Sequence, residues 1–167
     1  MTQGESAKQP GRWGADPALL RNPIHLFAFG FGAGLAPRAP GTFGTLVAVP
    51  IVLGVMQFGF AAHLAFAIAA TAAGIWLCGA SARRLGVHDH PGIVWDEITG
   101  YTVTMLAAPP DWYWLAGGFV LFRFFDIVKP WPIREADHSL SGGLGIMLDD
   151  IIAGIFAAAI LLAAKLL

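Results

Sequence analysis

Between Ala39 and Ala82 the chain carries no Asp, Glu, Lys or Arg, an uncharged run of 44 residues. A helix needs about 20 apolar residues to cross the hydrocarbon core of a bilayer. The run therefore accommodates two spans, placed near 42–60 and 62–81, with Pro50 a kink in the first. Composition agrees: 56% of the 167 residues are hydrophobic and 13% charged, against roughly 25% charged in soluble domains. The length suits one domain. A net charge of −1 offers no basic surface for nucleic acid. Cys78 is the only cysteine and sits inside the apolar run, which excludes a disulfide framework or a cysteine-based metal site within one chain.

Residues 1–22 are polar and contain Pro10 and Pro17 but no apolar core of a signal peptide, so they read as a flexible cytoplasmic tail ahead of a membrane-embedded domain, 23–167. The stretch "NPIHLFAFGFGAGLAP" is too short to span and reads as a half-helix or re-entrant segment. In the second half, only 13 uncharged residues separate Glu97 from Asp111, and 11 separate Asp111 from Arg123. "APPD" at 108–111 is a turn between two helices. Each becomes long enough to cross only if it takes in charge: Asp96 and Glu97 in a helix from Ile93, Arg123 and Asp126 in one running to Val128. The last helix has 14 uncharged residues, Ile151–Ala164, and gains length by reaching back to Asp149 and Asp150. The expected architecture is an all-α membrane bundle of about six helical segments, roughly five of them spans.

Basic residues set the orientation. Lys8, Arg12, Arg21 and Arg38 precede the first span, Arg83 and Arg84 follow the second, and Arg123, Lys129 and Arg134 follow the fourth. An out-and-back path puts all of them on the cytoplasmic side, together with Asp96, Glu97, Asp126, Asp149 and Asp150. Two readings of these acids stand side by side. Asp96–Glu97 and Asp149–Asp150 fall at expected helix N-termini, where the macrodipole favours anions. Asp126 lies near the C-terminal end of its helix, where the dipole repels it, and has Arg123 and Lys129 at i−3 and i+3 as possible ion-pair partners. The alternative is a shared metal site. Five carboxylates from three helices at one depth repel unless cations or protons sit among them, and an all-oxygen set favours a hard ion such as Mg²⁺. Lys129, Arg134 and Arg38 in the same layer suit a phosphate.

Other stretches share that side. "APRAPGTFGT" places Thr42 and Thr45 at a helix start, either as cap and turn or as phosphate ligands. "GVHDHPGIVWDE" offers His88, Asp89 and His90, usually solvated in a loop. Gly30, Gly32 and Gly34 have no preceding strand, which favours close helix packing over nucleotide binding. His25 and His63 read as interfacial or packing residues.

The blocks "GFGAGLAPRAPGTFGT", "HDHPGIVWDEITG", "FRFFDIVKPWPIREAD" and "GGLGIMLDDIIAG", in this order, resemble the phosphatidylglycerophosphatase A family. The resemblance runs from about Asn22 to the end. It implies a multi-pass, Mg²⁺-dependent lipid phosphatase of the bacterial inner membrane, which removes the terminal phosphate of phosphatidylglycerophosphate to leave phosphatidylglycerol. The family's acidic motifs fall on Asp96, Glu97, Asp126, Asp149 and Asp150, and its basic motif on Lys129 and Arg134. Gly44–Thr45 stands where the family usually has Gly-Ser, and Asp137 follows "REA" rather than a bulkier stretch. The expected roles are metal binding by the five acids; catalysis by Asp126, Lys129 and Arg134, with His88 or Asp89 as proton donor; and substrate contacts from Arg38, Thr42, Thr45, Arg123 and Asp137. A small ion- or proton-coupled transporter is the alternative, since carboxylates in membranes also relay protons.

Overall fold

The structure, a computed structural model, describes residues 16–87, 90–135 and 140–167. Every regular element among them is helical. A 3-10 turn, Pro17–Arg21, leads into the short α1, Pro23–Ala28, and a second 3-10 stretch, Gly30–Leu35. Then come α2, Pro40–Met56; α3, Phe60–Leu85; α4, Trp95–Thr104, with a 3-10 extension Met105–Ala107; α5, Trp112–Val128; and α6, Gly142–Leu166.

Local chemistry explains the boundaries. Pro40 opens α2 at a position where its missing N–H costs nothing. α3 ends on Gly86 in the left-handed conformation, with Arg83 and Arg84 in its last turn against the negative end of the dipole. α5 stops at Val128 because Pro130 follows Lys129, which takes a left-handed conformation as the cap. The Gly30–Leu35 stretch breaks where Phe31 and Gly32 have positive φ. Gly30 and Gly32 serve backbone conformation, and the expected close packing holds at Gly34, whose backbone abuts Gly92, and at Gly30, where a Cβ would meet the Val94 side chain at 2.8 Å.

α4 is the hub, packed against α2, α3, α5 and α6. Its core face carries Ile98, Tyr101 and, at the start of the extension, Met105, against Phe122, Ala153, Ala157 and Leu161. Its buried threonines return their hydroxyls to their own helix: Thr99 to Trp95 O at 3.0 Å, Thr102 to Ile98 O at 2.7 Å and Thr104 to Gly100 O at 2.9 Å. Tyr101 donates to Leu115 O at 2.9 Å. No polar group on this face therefore enters the core without an acceptor.

Among the described residues two helices are long and apolar enough to cross a membrane: α3, mean hydropathy 1.7, and α6, mean hydropathy 2.2. The outward faces are apolar as well, with Ile68 and Trp76 on α3, Val120, Phe124 and Ile127 on α5, and Ile155 and Leu162 on α6 all exposed. α2 runs through Pro50 for 17 residues and α3 for 26. α4 has only 10 residues, shorter than the span expected there. Of the expected tail, residues 1–15 lie outside the described residues, and Pro17–Arg21 form a turn capped by the Asp16 carboxylate and packed on α1.

Candidate metal and phosphate site

Glycines bring the acid-bearing helices together. A Cβ on Gly154 of α6 would strike the carbonyl oxygen of Gly100 on α4, and one on Gly100 would meet the Asp150 carbonyl oxygen at 2.7 Å. Without side chains at these two points the α4 and α6 backbones touch. The loop before α4 is tied down by a bond from Val94 N–H to Ala28 O at 2.8 Å, with Ile93 and Val94 buried beneath it. Asp96 and Glu97 follow in the first turn of α4, and the Glu97 N–H donates to Asp96 Oδ1 at 3.1 Å.

Asp126 and Arg123 come from α5, one turn apart, joined by an ion pair of 2.5 Å; the same guanidinium lies 3.9 Å from Glu97. Lys129, turned inward by its left-handed cap conformation, donates to Asp149 Oδ2 at 2.6 Å. Asp149 and Asp150 are both buried. They do not cap α6, as an N-terminal placement would have had it. The helix begins at Gly142, two turns earlier, so the glycine-rich stretch is helix rather than loop and the acids gain little from the dipole.

All five carboxylates line one cavity of about 260 Å³, together with Arg123, Lys129, His90 and the start of α2 at Ala39, Pro40 and Gly41. A Cβ on Gly41 would overlap the Glu97 carboxylate, so only glycine leaves the acid its place. With every group ionised, five negative charges face two positive ones. That excess in a desolvated site is unstable unless cations or protons are present. Two sets of ligand atoms are already grouped, Asp96–Glu97–Asp150 and Asp126–Asp149–Asp150, each within 4.8 Å. Glu97 Oε2 and Asp150 Oδ2 are buried without a hydrogen-bond partner among the described residues. Acceptors with no donor, in an all-oxygen set, fit a hard divalent cation such as Mg²⁺. Arg123 Nε is likewise buried without a partner, a donor available to an anion.

The other expected site residues are less central. Arg38 is exposed in the loop before α2 and does not line the cavity. The Thr42 N–H donates to Ala39 O at 3.0 Å, and the buried Thr45 hydroxyl to Gly41 O at 3.0 Å, so both stabilise the first turns of α2 next to the cavity. Arg134 is exposed and away from the cavity lining. His88, Asp89 and Asp137 lie outside the described residues. Of the lining residues to which no role was assigned, His90 and Gly41 bear on the site. His90 accepts the Gly92 N–H on Nδ1 at 3.0 Å and faces the Phe29 ring at 5.4 Å. Gly41 carried a readable signal, since it follows a proline at a helix start, but nothing in the sequence tied it to Glu97.

Comparison with known proteins gives consistent matches. A family model described as "Phosphatidylglycerophosphatase A" matches residues 26–165. A phosphatidylglycerophosphatase A of Escherichia coli (strain K12) is 46% identical over 143 residues, covering 85% of this chain and 83% of the relative. A protein of the same name from Haemophilus influenzae is 45% identical over 148 residues, 86% and 90% of the two chains. A third relative, from Bacteroides thetaiotaomicron, is 39% identical over 140 residues, 79% and 87%, and bears a provisional name as a phosphatidylinositol-3-phosphatase. No solved structure matches the chain significantly.

Proposed function

Because the chain belongs to the phosphatidylglycerophosphatase A family, we propose that it is a membrane lipid phosphatase acting on phosphatidylglycerophosphate. The reaction releases inorganic phosphate from the terminal phosphomonoester and leaves phosphatidylglycerol. The observation that carries the reading is the single cavity in which Asp96, Glu97, Asp126, Asp149 and Asp150 meet Arg123 and Lys129. Acids that hold a divalent cation, beside bases that hold phosphate, are the parts phosphoryl hydrolysis requires.

The five carboxylates are the groups that would hold Mg²⁺, with Asp150 common to both ligand sets. Bound there, the ion would polarise the phosphate and lower the pKa of a water. The chain's own residues do the rest. Arg123, whose Nε is unengaged, and Lys129 neutralise charge on the phosphoryl oxygens. Arg134 and Arg38 add positive charge on approach. Water attacks phosphorus as the bond to the glycerol oxygen breaks. That oxygen takes a proton from an acid, for which His88 and Asp89, adjacent in sequence to His90, are the candidates. Thr42 and Thr45 hold the first turns of α2 beside the cavity, and Asp137 is a candidate substrate contact by the family resemblance alone. A covalent aspartyl-phosphate is the competing route, and ¹⁸O-water in a single turnover separates the two.

In this reading the bundle lies in the inner membrane of a bacterium, crossing about five times, with α4 a short pass enclosed by the others. Basic residues on the flanks support a cytoplasmic side for the cavity. The transport alternative loses support, since none of the matched relatives is named for transport.

Purified protein in detergent, given phosphatidylglycerophosphate, should release phosphate with Mg²⁺ and not with EDTA. Asp126→Asn should remove release while the thermal melt stays cooperative. Full activity in that variant, or in EDTA, would overturn the site. Phosphatidylinositol 3-phosphate as a second substrate tests whether the same chemistry extends to the headgroup named for the third relative.

A further inference from the structure

A second hollow, of about 690 Å³, lies next to the acidic cavity. The two share a wall of rings: His25 lines the hollow, Phe29 packs on His25 at 6.1 Å and on His90 at 5.4 Å, and His90 lines the cavity. Its floor is apolar, from Leu19, Pro23 and Ile24. Its charge comes from two arginines that the sequence keeps far apart, Arg21 on the first 3-10 turn and Arg84 at the end of α3. Among the described residues no carboxylate lines it and neither guanidinium has an ion pair. His25 adds no charge at neutral pH. It is buried and bonded to the Ser81 hydroxyl at 2.8 Å, and its pKa is pushed below the ordinary histidine value by burial and by the neighbouring Arg84 and His90.

Two unopposed guanidiniums above an apolar floor fit one kind of ligand well. A free phosphate ion would satisfy the arginines but gain nothing from Leu19 and Ile24. A zwitterionic lipid would bring an ammonium towards two cations. We propose that the hollow binds an anionic membrane phospholipid, its phosphodiester between Arg21 and Arg84 and the first carbons of its acyl chains on the apolar floor. This rests on the chain lying in a bilayer, not on its hydrolysing phosphate. It places a lipid-holding site one ring-stack away from the acidic cavity.

Native mass spectrometry of the full-length protein in detergent tests it, with phosphatidylglycerol and phosphatidylcholine as probes. The wild type should retain one phosphatidylglycerol in preference to phosphatidylcholine. At about fivefold per arginine near an anionic headgroup, the Arg21→Gln/Arg84→Gln variant should lose roughly 30-fold of that preference. Arg21→Gln alone should lose about fivefold, and it alters only an exposed turn, so it remains informative if the double variant fails to fold. Asp126→Asn should keep the preference. An unchanged preference in the double variant would overturn the proposal. So would loss of preference in Asp126→Asn, which would put the lipid in the acidic cavity, or displacement by inorganic phosphate, which would make the hollow a simple anion site.

Discussion

Gly154→Ala tests how tightly activity depends on the contact between α4 and α6. The added Cβ would overlap the Gly100 carbonyl oxygen and lie 3.2 Å from the Gly100 carbonyl carbon and 3.3 Å from Val103 Cβ. Two of these three atoms are backbone, so no rotamer change relieves the crowding. Restoring ordinary contact distances moves the helices apart by about 1 Å. Overpacking of this kind costs about 1–3 kcal/mol, and alanine's better helix propensity returns about 1 kcal/mol. The net loss of stability is therefore about 0–2 kcal/mol. Asp150 sits one turn before Gly154 on the same face, so it moves with the helix. Its ligand oxygen now lies within 4.8 Å of those of Asp96 and Glu97. A misplacement of about 1 Å in a positioned site costs about 100-fold in rate, equivalent to about 2.7 kcal/mol of barrier. Phosphate release from phosphatidylglycerophosphate in mixed micelles and a thermal melt followed by circular dichroism measure the two effects separately. Activity should fall about 100-fold while the melt shifts only modestly. Gly54→Ala is the control, because a Cβ there meets nothing within 4 Å. A Gly154→Ala enzyme within about threefold of wild type would refute the link between helix approach and site geometry.

Lys129→Ala should destabilise the protein by about 1–3 kcal/mol, because it strips the charge partner from the buried Asp149. Lys129→Gly should melt higher than Lys129→Ala by roughly 1 kcal/mol, since glycine relieves the φ of 44° at this cap; both should be inactive in phosphate release. Adding Mg²⁺ to the EDTA-treated protein should raise stability by about 2.7 kcal/mol at a concentration of about 100 Kd, a gain absent in Asp150→Asn. The lowered pKa of His25 means that the unfolded chain binds its proton first as pH falls. Its contribution is complete above the unfolded value of about 6.5 and is lost below it, so Tm should drop less steeply on acidification in His25→Gln than in wild type. Arg123→Lys keeps a charge between Glu97 and Asp126 but loses the planar fork; KM should rise with the fold intact, and an unchanged KM would make Arg123 a structural ion pair only.

Charge and the two long apolar helices were readable from the sequence, whereas proximity and the shortness of α4 were not. The uncharged run announced α2 and α3, and the positions of Asp126 between Arg123 and Lys129 foretold an ion pair that forms with Arg123. The notion of caps at Asp149 and Asp150 failed because "SGGLG" reads as loop by propensity, yet α6 starts there. Packing against α3 explains this, since a Cβ on Gly143 would strike the Ile75 carbonyl oxygen, so glycine is kept for close approach. Gly100 and Gly154 gave no signal of their meeting, because two glycines far apart in sequence carry no record of each other. Arg134 and Arg38 matched by residue type but lie exposed, and a basic residue near a motif has no spacing rule that separates a charge in the cavity from one at its rim.

The lengths of two helices explain how so many charges are held within an apolar bundle. α4 and its 3-10 extension rise about 21 Å, using 1.5 and 2.0 Å per residue, about 9 Å less than a hydrocarbon core of about 30 Å. On α6, Asp149 lies seven residues past Gly142, about 10 Å below that helix's start. The two estimates use different elements and agree. α4 carries its acids in its first turn, whereas α6 starts about 10 Å before its own, so the two sets meet because α4 begins level with the middle of α6. Asp96 and Glu97 close the cavity from α4, and Arg123 and Lys129 from α5. Lengthening α4 by one turn at its start would fill the cavity with backbone and push its acids to the rim. The shortness of α4, which fell outside the expected span length, is therefore what makes room for the site.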